Sequence, residues 1–294
     1  MDKIGFIGVG AMGGSIAARL APHHELLVND RNPEATARLV ALGASVADLP
    51  ELAAKCATVF ICLPGPKQVR DLVLEGDQPL ASVLRPGSVL ADITSSIPGL
   101  DHEIAAALEG RDVDFVDCPI AGGVSRAQQG TATLMAGGSD AAFARVEPLL
   151  LQIADTVVHV GPTGTGHAMK LVNNLLNACN RYAALETVHL AELAGIKRSV
   201  ALDVINRASG RNFTTEFTFP LLLSGETWKP QDFTLELWLK DVRLANELAD
   251  SVGHRMPIGR IALANTQQGV ERFGPRADQS QLMFEWYDEQ QASS

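Results

Sequence analysis

Lys170, Asn174 and Asn177 recur at i, i+4 and i+7, with Asn173 beside them, in a stretch rich in Leu and Ala. On a helix that spacing puts an amine and two carboxamides on one face. Leu171, Leu175, Ala178, Tyr182 and Leu185 form an apolar side, so the helix is mainly buried and its polar stripe needs partners. One reading of the stripe is a solvated edge or a set of interdomain hydrogen bonds. The other is proton transfer. A Lys that is partly desolvated and near a bound cation has its pKa lowered into a range useful for acid–base work. Asn174 would orient that amine or the reacting oxygen. None of the seven His residues offers an obvious rival base. His167 lies close to Lys170, but its place at the helix start leaves its direction open.

A second constellation opens the chain. A strand-like segment, Lys3–Ile7, runs into Gly8-Val9-Gly10-Ala11-Met12-Gly13-Gly14 and then into a helical pattern. A glycine-rich strand-to-helix turn lets backbone amides approach a pyrophosphate, and the helix dipole favours the charge. The next strand ends at Asp30, about twenty residues on, where an acid would hold an adenosine ribose hydroxyl. That acid favours NAD, because its charge would repel a 2′-phosphate; Arg31, next in sequence, is the residue that would suit NADP. Two further strand ends point to the same crevice, Cys62-Leu63-Pro64-Gly65-Pro66 and Asp92-Ile93-Thr94-Ser95-Ser96. Thr94 and Ser95 offer hydroxyls that serve either a ligand or a helix cap.

Between these ends lie Asp117-Cys118-Pro119-Ile120-Ala121-Gly122-Gly123, Gly130-Thr131 and Gly137-Gly138. Amides at Gly122 and Gly123 could hold a carboxylate, as oriented amides do in anion nests. The alternative is a turn that needs glycine. Cys56, Cys62, Cys118 and Cys179 show no CxxC spacing and no clustering with His, so no metal site is expected. Cys118 is the thiol to watch, beside the candidate substrate loop.

The elements that must position these groups change character along the chain. Up to about residue 160, short apolar runs (Ile4–Ile7, Leu26–Val28, Val59–Leu63, Val89–Ile93, Val113–Val116 and Val157–Val160) are mostly separated by helical patterns such as Met12–Leu20, Glu34–Leu42 and Gln68–Leu74. Thr131–Ala136 is a candidate extra strand. Short strands buried on both sides and linked by helices imply a parallel sheet covered on both faces. From Gly166 onward, Ala168–Gly195 reads as one long helix, followed by helical Arg198–Ala208, Leu235–Val252 and Pro257–Gln268. Residues 1–162 are expected to form a dinucleotide-binding α/β domain, and residues 163–294 an all-helical substrate and oligomerisation domain. The tail Gln290–Ser294 is expected to fray. A net charge of −10 argues against binding nucleic acid or an anionic membrane surface. With no apolar run of spanning length and no leader pattern, a cytoplasmic protein is expected.

Taken in order, GFIGVGAMG at Gly5–Gly13, Leu63-Pro64, Asp92-x-Thr94-Ser95, Asp117–Gly123 with Gly130-Thr131, and Gly164-x-Gly166-x-x-x-Lys170-x-x-Asn173-Asn174 form a pattern. Asp232-Phe233 and Lys240–Ala245 extend it. The sequence resembles the 3-hydroxyisobutyrate dehydrogenase-like β-hydroxyacid dehydrogenases over nearly its whole length. The resemblance implies a Rossmann domain and an all-α domain joined by a long helix. It implies Lys170 as catalytic acid/base, Asn174 as substrate-orienting partner, and NAD(P) contacts from Leu63, Pro64, Ser95 and Lys240. Gly122 and Gly123 would bind a substrate carboxylate, and Phe233 and Asp241 would close the site. A homodimer or homotetramer is implied as well. The family commonly has Ser where this chain has Ala121, so one substrate-binding hydroxyl is missing while the amides remain. Arg211, in the segment Ser209–Thr215, would be a second anion site or a residue of a surface loop. Two other readings share the architecture. Imine reductases usually lack the catalytic Lys, and a non-catalytic cofactor-binding scaffold has no need to retain Lys170 and Asn174.

Overall fold

Apolar side chains alternate between the two faces of the strands, and both faces are covered. On β4 (Cys56–Ile61), Phe60 packs on one side with Ile4, Phe6 and Val28, while Val59 and Ile61 pack on the other with Leu27, Leu52 and Leu90. Phe6 and Phe60 stack with ring centroids 5.7 Å apart. Double burial explains why these strands read as continuous apolar runs.

The computed structural model describes residues 3–222 and 233–282; Asp232 and the tail 290–294 lie outside the described residues. The remaining strands are β1 (Lys3–Ile7), β2 (Leu26–Asn29), β3 (Ser45–Val46), β5 (Ser88–Asp92), β6 (Val113–Asp117), β7 (Ile120–Ala121), β8 (Thr133–Gly137) and β9 (Thr156–Gly161). Their order is β3-β2-β1-β4-β5-β6-β8-β7, with β9 paired to β8. Strands β1 to β6 are parallel, whereas β8 runs antiparallel to β6 and β7. The sheet is therefore doubly wound and mostly parallel, as expected, with an antiparallel margin. The chain steps outward from β1 to β3 and then returns to the other side of β1 as β4. Such a switch point is where open α/β sheets bind ligands, beyond the carboxyl ends of the strands.

The chain divides into two units, Met1–Lys170 and Leu171–Ser294. The long helix spans Thr165–Leu193 and starts earlier than its apolar periodicity suggests. Its first turn contains no acid. Asp117, at the end of β6, supplies the missing cap: its Oδ1 accepts the Gly164 N–H at 2.7 Å and its Oδ2 accepts the His167 N–H at 2.9 Å. A carboxylate there satisfies orphan donors and the helix dipole together. Gly166 is required because a Cβ would lie 2.4 Å from the Met135 carbonyl oxygen and 2.5 Å from that of Asp117. At the far end Gly195 takes φ +82°, with Gly195 N–H donating to Glu192 O and Ile196 N–H to Ala191 O, a glycine-terminated stop.

In the second unit, helices Arg198–Arg207, Leu235–Ser251 and Pro257–Phe273 follow, with a π-helical turn at Thr214–Thr218. Tyr182 of the long helix stacks on Trp238 at 5.6 Å, and its hydroxyl meets that of Thr266 at 2.8 Å. The Leu235–Ser251 helix is thereby held in register with the long helix.

Candidate active site

At the end of β1, Gly8 takes φ +84° and a Cβ there would sit 2.3 Å from the Cys62 carbonyl oxygen. A Cβ on Gly13 would lie 1.9 Å from the Gly8 carbonyl oxygen, so the turn can close only with glycine at both positions. Gly10 faces open space and is exposed. The helix it precedes, Ala11–Leu20, has no side-chain cap at Gly10 and no acid in its first turn. Its leading amides, at Ala11, Met12 and Gly13, are thus offered to an anion, which fits a dinucleotide pyrophosphate. Asp30 is aimed at this loop: its Oδ2 accepts the Val9 N–H at 2.8 Å and its Oδ1 accepts the Asn32 N–H at 2.8 Å. Each oxygen keeps a lone pair for a ribose hydroxyl. Arg31 is exposed beside it.

At the end of β4, the Leu63 N–H donates to the Thr94 hydroxyl at 3.0 Å, and the Thr94 N–H donates to Asp92 Oδ1 at 2.8 Å. Thr94 is buried, and its hydroxyl links the ends of β4 and β5. Ser95 is half-buried and Pro64 exposed.

Lys170 is 8% exposed, on the long helix within the first unit. The residues around that helix start include a buried group that spacing did not reveal. His167 Nδ1 lies 2.8 Å from both oxygens of Asp101, and Nε2 lies 2.8 Å or closer to an acceptor, the Thr94 carbonyl at 2.7 Å. Asp92, Asp101, Asp117 and His167 are all fully buried. Burial pushes the Asp92 carboxyl up to about 6 and the Asp117 carboxyl up to about 7, both restrained by the nearby His167 charge. The only sequence hint was His167 near Lys170; Asp101 lies on a helix, Pro98–Leu108, far away in the chain.

In the second unit Asn174 Nδ2 donates to Asp241 Oδ2 at 2.7 Å, and Lys240 Nζ lies 3.2 Å from Asp241 Oδ1. Three predicted site residues are therefore gathered, with Asp241 buried and Asn174 and Lys240 half-buried. Asn173 is exposed, and the Asn177 Oδ1 is buried without a hydrogen-bond partner. Phe233 is half-buried, its N–H donating to Asp278 Oδ2 at 3.2 Å. Arg211, exposed, pairs with Glu216 at 3.4 Å, an acid that competes with any anion.

Ala121 ends β7, and Gly122 (φ +131°) and Gly123 (φ +72°) follow as exposed, left-handed residues leading into the Gly123–Gln129 helix. Both backbones need glycine. Cys118 is a core thiol: burial, and then the charges of Asp92 and Asp117, push its pKa well up, so it is unreactive.

Residues 3–161 match the family model for the NAD binding domain of 6-phosphogluconate dehydrogenase. Residues 164–286 match the one described as NAD-binding of NADP-dependent 3-hydroxyisobutyrate dehydrogenase. The 2-(hydroxymethyl)glutarate dehydrogenase of Eubacterium barkeri is 32% identical over 287 residues, covering 97% of this chain and 94% of that protein. A Mycobacterium tuberculosis 3-hydroxyisobutyrate dehydrogenase solved with L-serine superposes with a TM-score of 0.87 at 27% identity, over 97% of this chain and 99% of that one. An imine reductase from Myxococcus stipitatus shares the fold alone, with a TM-score of 0.63 at 19% identity over 96% and 98% of the two chains. The glycine cradle with its Asp30, the Lys170 helix and these full-length likenesses converge: the chain belongs to the 3-hydroxyisobutyrate dehydrogenase-like β-hydroxyacid dehydrogenases, a family of NAD(P)-dependent oxidoreductases.

Proposed function

We propose that the protein interconverts a small 3-hydroxy acid and its semialdehyde, with Lys170 as general acid/base. The observation that carries this reading is a buried Lys170 on a helix whose first turn is bonded to the strand ends that also hold the cofactor loop. In oxidation, neutral Lys170 takes the hydroxyl proton; in reduction, its ammonium returns it. The bound nicotinamide supplies or accepts the hydride. Asn174 follows Lys170 by one helical turn and shares its face. With Nδ2 tied to Asp241, its carboxamide is fixed to orient the reacting oxygen. The amides of Ala11, Met12 and Gly13, in the turn shaped by Gly8 and Gly10, would hold the pyrophosphate, Asp30 the ribose, and Leu63, Pro64, Ser95 and Lys240 the rest of the cofactor. Asp30 favours NAD.

The substrate carboxylate would lie on the amides of Ala121, Gly122 and Gly123, and Phe233 and Asp241 are proposed as further substrate-binding residues. 3-Hydroxyisobutyrate, 2-(hydroxymethyl)glutarate and L-serine, named with the relatives, each carry a CH2OH on the carbon beside a carboxylate. That unit is the substrate class proposed here. A homodimer or homotetramer is part of the proposal, supported by exposed Val172, Leu176, Leu190 and Leu193 on the long helix. Among the described residues no helix is long and apolar enough to cross a membrane; the cytoplasm is the proposed location.

Initial rates of cofactor reduction, with NAD and NADP in parallel, across 3-hydroxyisobutyrate, L-serine, 3-hydroxypropionate, D-glycerate, threonate and 4-hydroxybutyrate test the reading. A clear rate with at least one 3-hydroxy acid is expected. Silence across all of them, with activity on cyclic imines, would sink it.

A further inference from the structure

Both ring nitrogens of the fully buried His167 meet partners, and the reaction as proposed does not use this side chain. A carbonyl oxygen only accepts hydrogen bonds, so the Nε2 facing Thr94 O at 2.7 Å carries a proton. Nδ1 lies 2.8 Å from each Asp101 oxygen, the geometry of an N–H shared by a carboxylate, so it carries one too. The ring is an imidazolium. With both nitrogens protonated it has no lone pair for a metal, although Asp92, Asp101 and His167 lie close enough together to suggest one.

The two bonds join three elements. Asp101 is on the Pro98–Leu108 helix, Thr94 follows β5, and His167 itself lies one turn before Lys170. Thr94 passes the link on, because its hydroxyl accepts the Leu63 N–H at 3.0 Å. We infer that His167 is a positioning residue: as an imidazolium bridging Asp101 and Thr94, it fixes in one buried unit the helix turn that bears Lys170 and the loop that bears Leu63. This inference rests on the acid/base role proposed for Lys170.

The charges around the ring support it. Asp101 faces it directly, and Asp92 from β5 and Asp117 from β6 stand behind. Burial opposes the ring's charge, but these three carboxyl groups outweigh it and hold the His167 pKa up at about 9. The bridge is therefore intact across neutral pH. Loss of the ring would leave a buried carboxylate and a buried carbonyl short of a donor.

Two variants divide the bridge. His167→Asn keeps a donor near the Nδ1 position and loses the link to Thr94. His167→Gln keeps a donor near Nε2 and loses the grip on Asp101. A misplaced general base costs rate rather than affinity, so kcat of His167→Asn is expected to fall at least about tenfold. The substrate KM should stay within about threefold of wild type, while the NAD dissociation constant should rise as the Leu63 loop loses its tether. His167→Gln should retain more activity. Reductive methylation of Lys170, followed by mass spectrometry against exposed Lys67, should quicken at least about threefold in His167→Asn, because the turn is loosened. If the His167 variants do not fold, Asp101→Asn, which removes only the charge partner, is expected to show the same split. A folded His167→Asn enzyme with kcat within about twofold of wild type and unchanged Lys170 labelling would overturn the inference. If wild type turns over no hydroxy acid, the proposed activity fails instead; the labelling needs no substrate and still decides the role of His167.

Discussion

Asp30 illustrates what a single residue can say. Its place at the end of β2 is legible in the sequence because the glycine turn and the strand-end acid are local signals at a set spacing. The fold adds the grip: the Val9 and Asn32 amides pin its two oxygens. Asp30→Ala would remove both the proposed charge-assisted bond to the ribose and the repulsion of a 2′-phosphate. The ratio of kcat/KM for NADP over NAD should rise at least about tenfold. An unchanged ratio in parallel assays would assign cofactor choice elsewhere, Arg31 first. Lys170, Asn174, Lys240 and Asp241 were legible by motif, and the last three meet as side chains. His167 and Asp101 were not, because their contact spans a sequence separation of 66 that no periodicity encodes. For Thr94 the sequence left a ligand hydroxyl and a helix cap both open; the fold adds that its hydroxyl accepts the Leu63 N–H.

At the scale of elements, the parallel core was legible because doubly buried strands are continuous apolar runs. The short β3 and β7 were not, at two residues each. Nor was the antiparallel direction of β8, which is set by its return past β6. The long helix began earlier than expected because its cap comes from Asp117 on another strand. That buried junction carries a pH signature. Burial raises the Asp92 pKa from 3.8 to about 6 and the Asp117 pKa from 3.8 to about 7. Against the opposing effect of burial, the three carboxyl groups raise His167 from 6.5 to about 9. All three groups hold their protons more tightly folded than unfolded. The stability this contributes is full below the unfolded pKa and lost as pH rises through the folded one. The Tm should therefore decline across the window from about pH 4 to pH 9, with the His167 part between about 6.5 and 9. His167→Gln should flatten the upper part. A wild-type Tm that climbs between pH 7 and 9 would contradict these protonation states.

The whole molecule poses the question of association. Val172 and Leu176, then Leu190 and Leu193, are each more than half exposed along one helix. Large apolar side chains each gain about 1.5–3 kcal/mol on burial, and a second copy of the chain is the proposed cover. Sedimentation equilibrium should give a dimer or tetramer, and the double variant Leu176→Glu/Leu190→Glu a smaller species. A monomeric wild type at micromolar concentration would refute this.

The proposed proton step turns on Lys170. The most direct measurement is the turnover of Lys170→Ala on the best hydroxy acid, with cofactor affinity measured alongside. The expected result is a kcat lowered by at least about a hundredfold, the low end for losing a general acid–base, with the cofactor still bound. Near-normal turnover in a folded, cofactor-bound variant would contradict the assignment of the proton step to this residue.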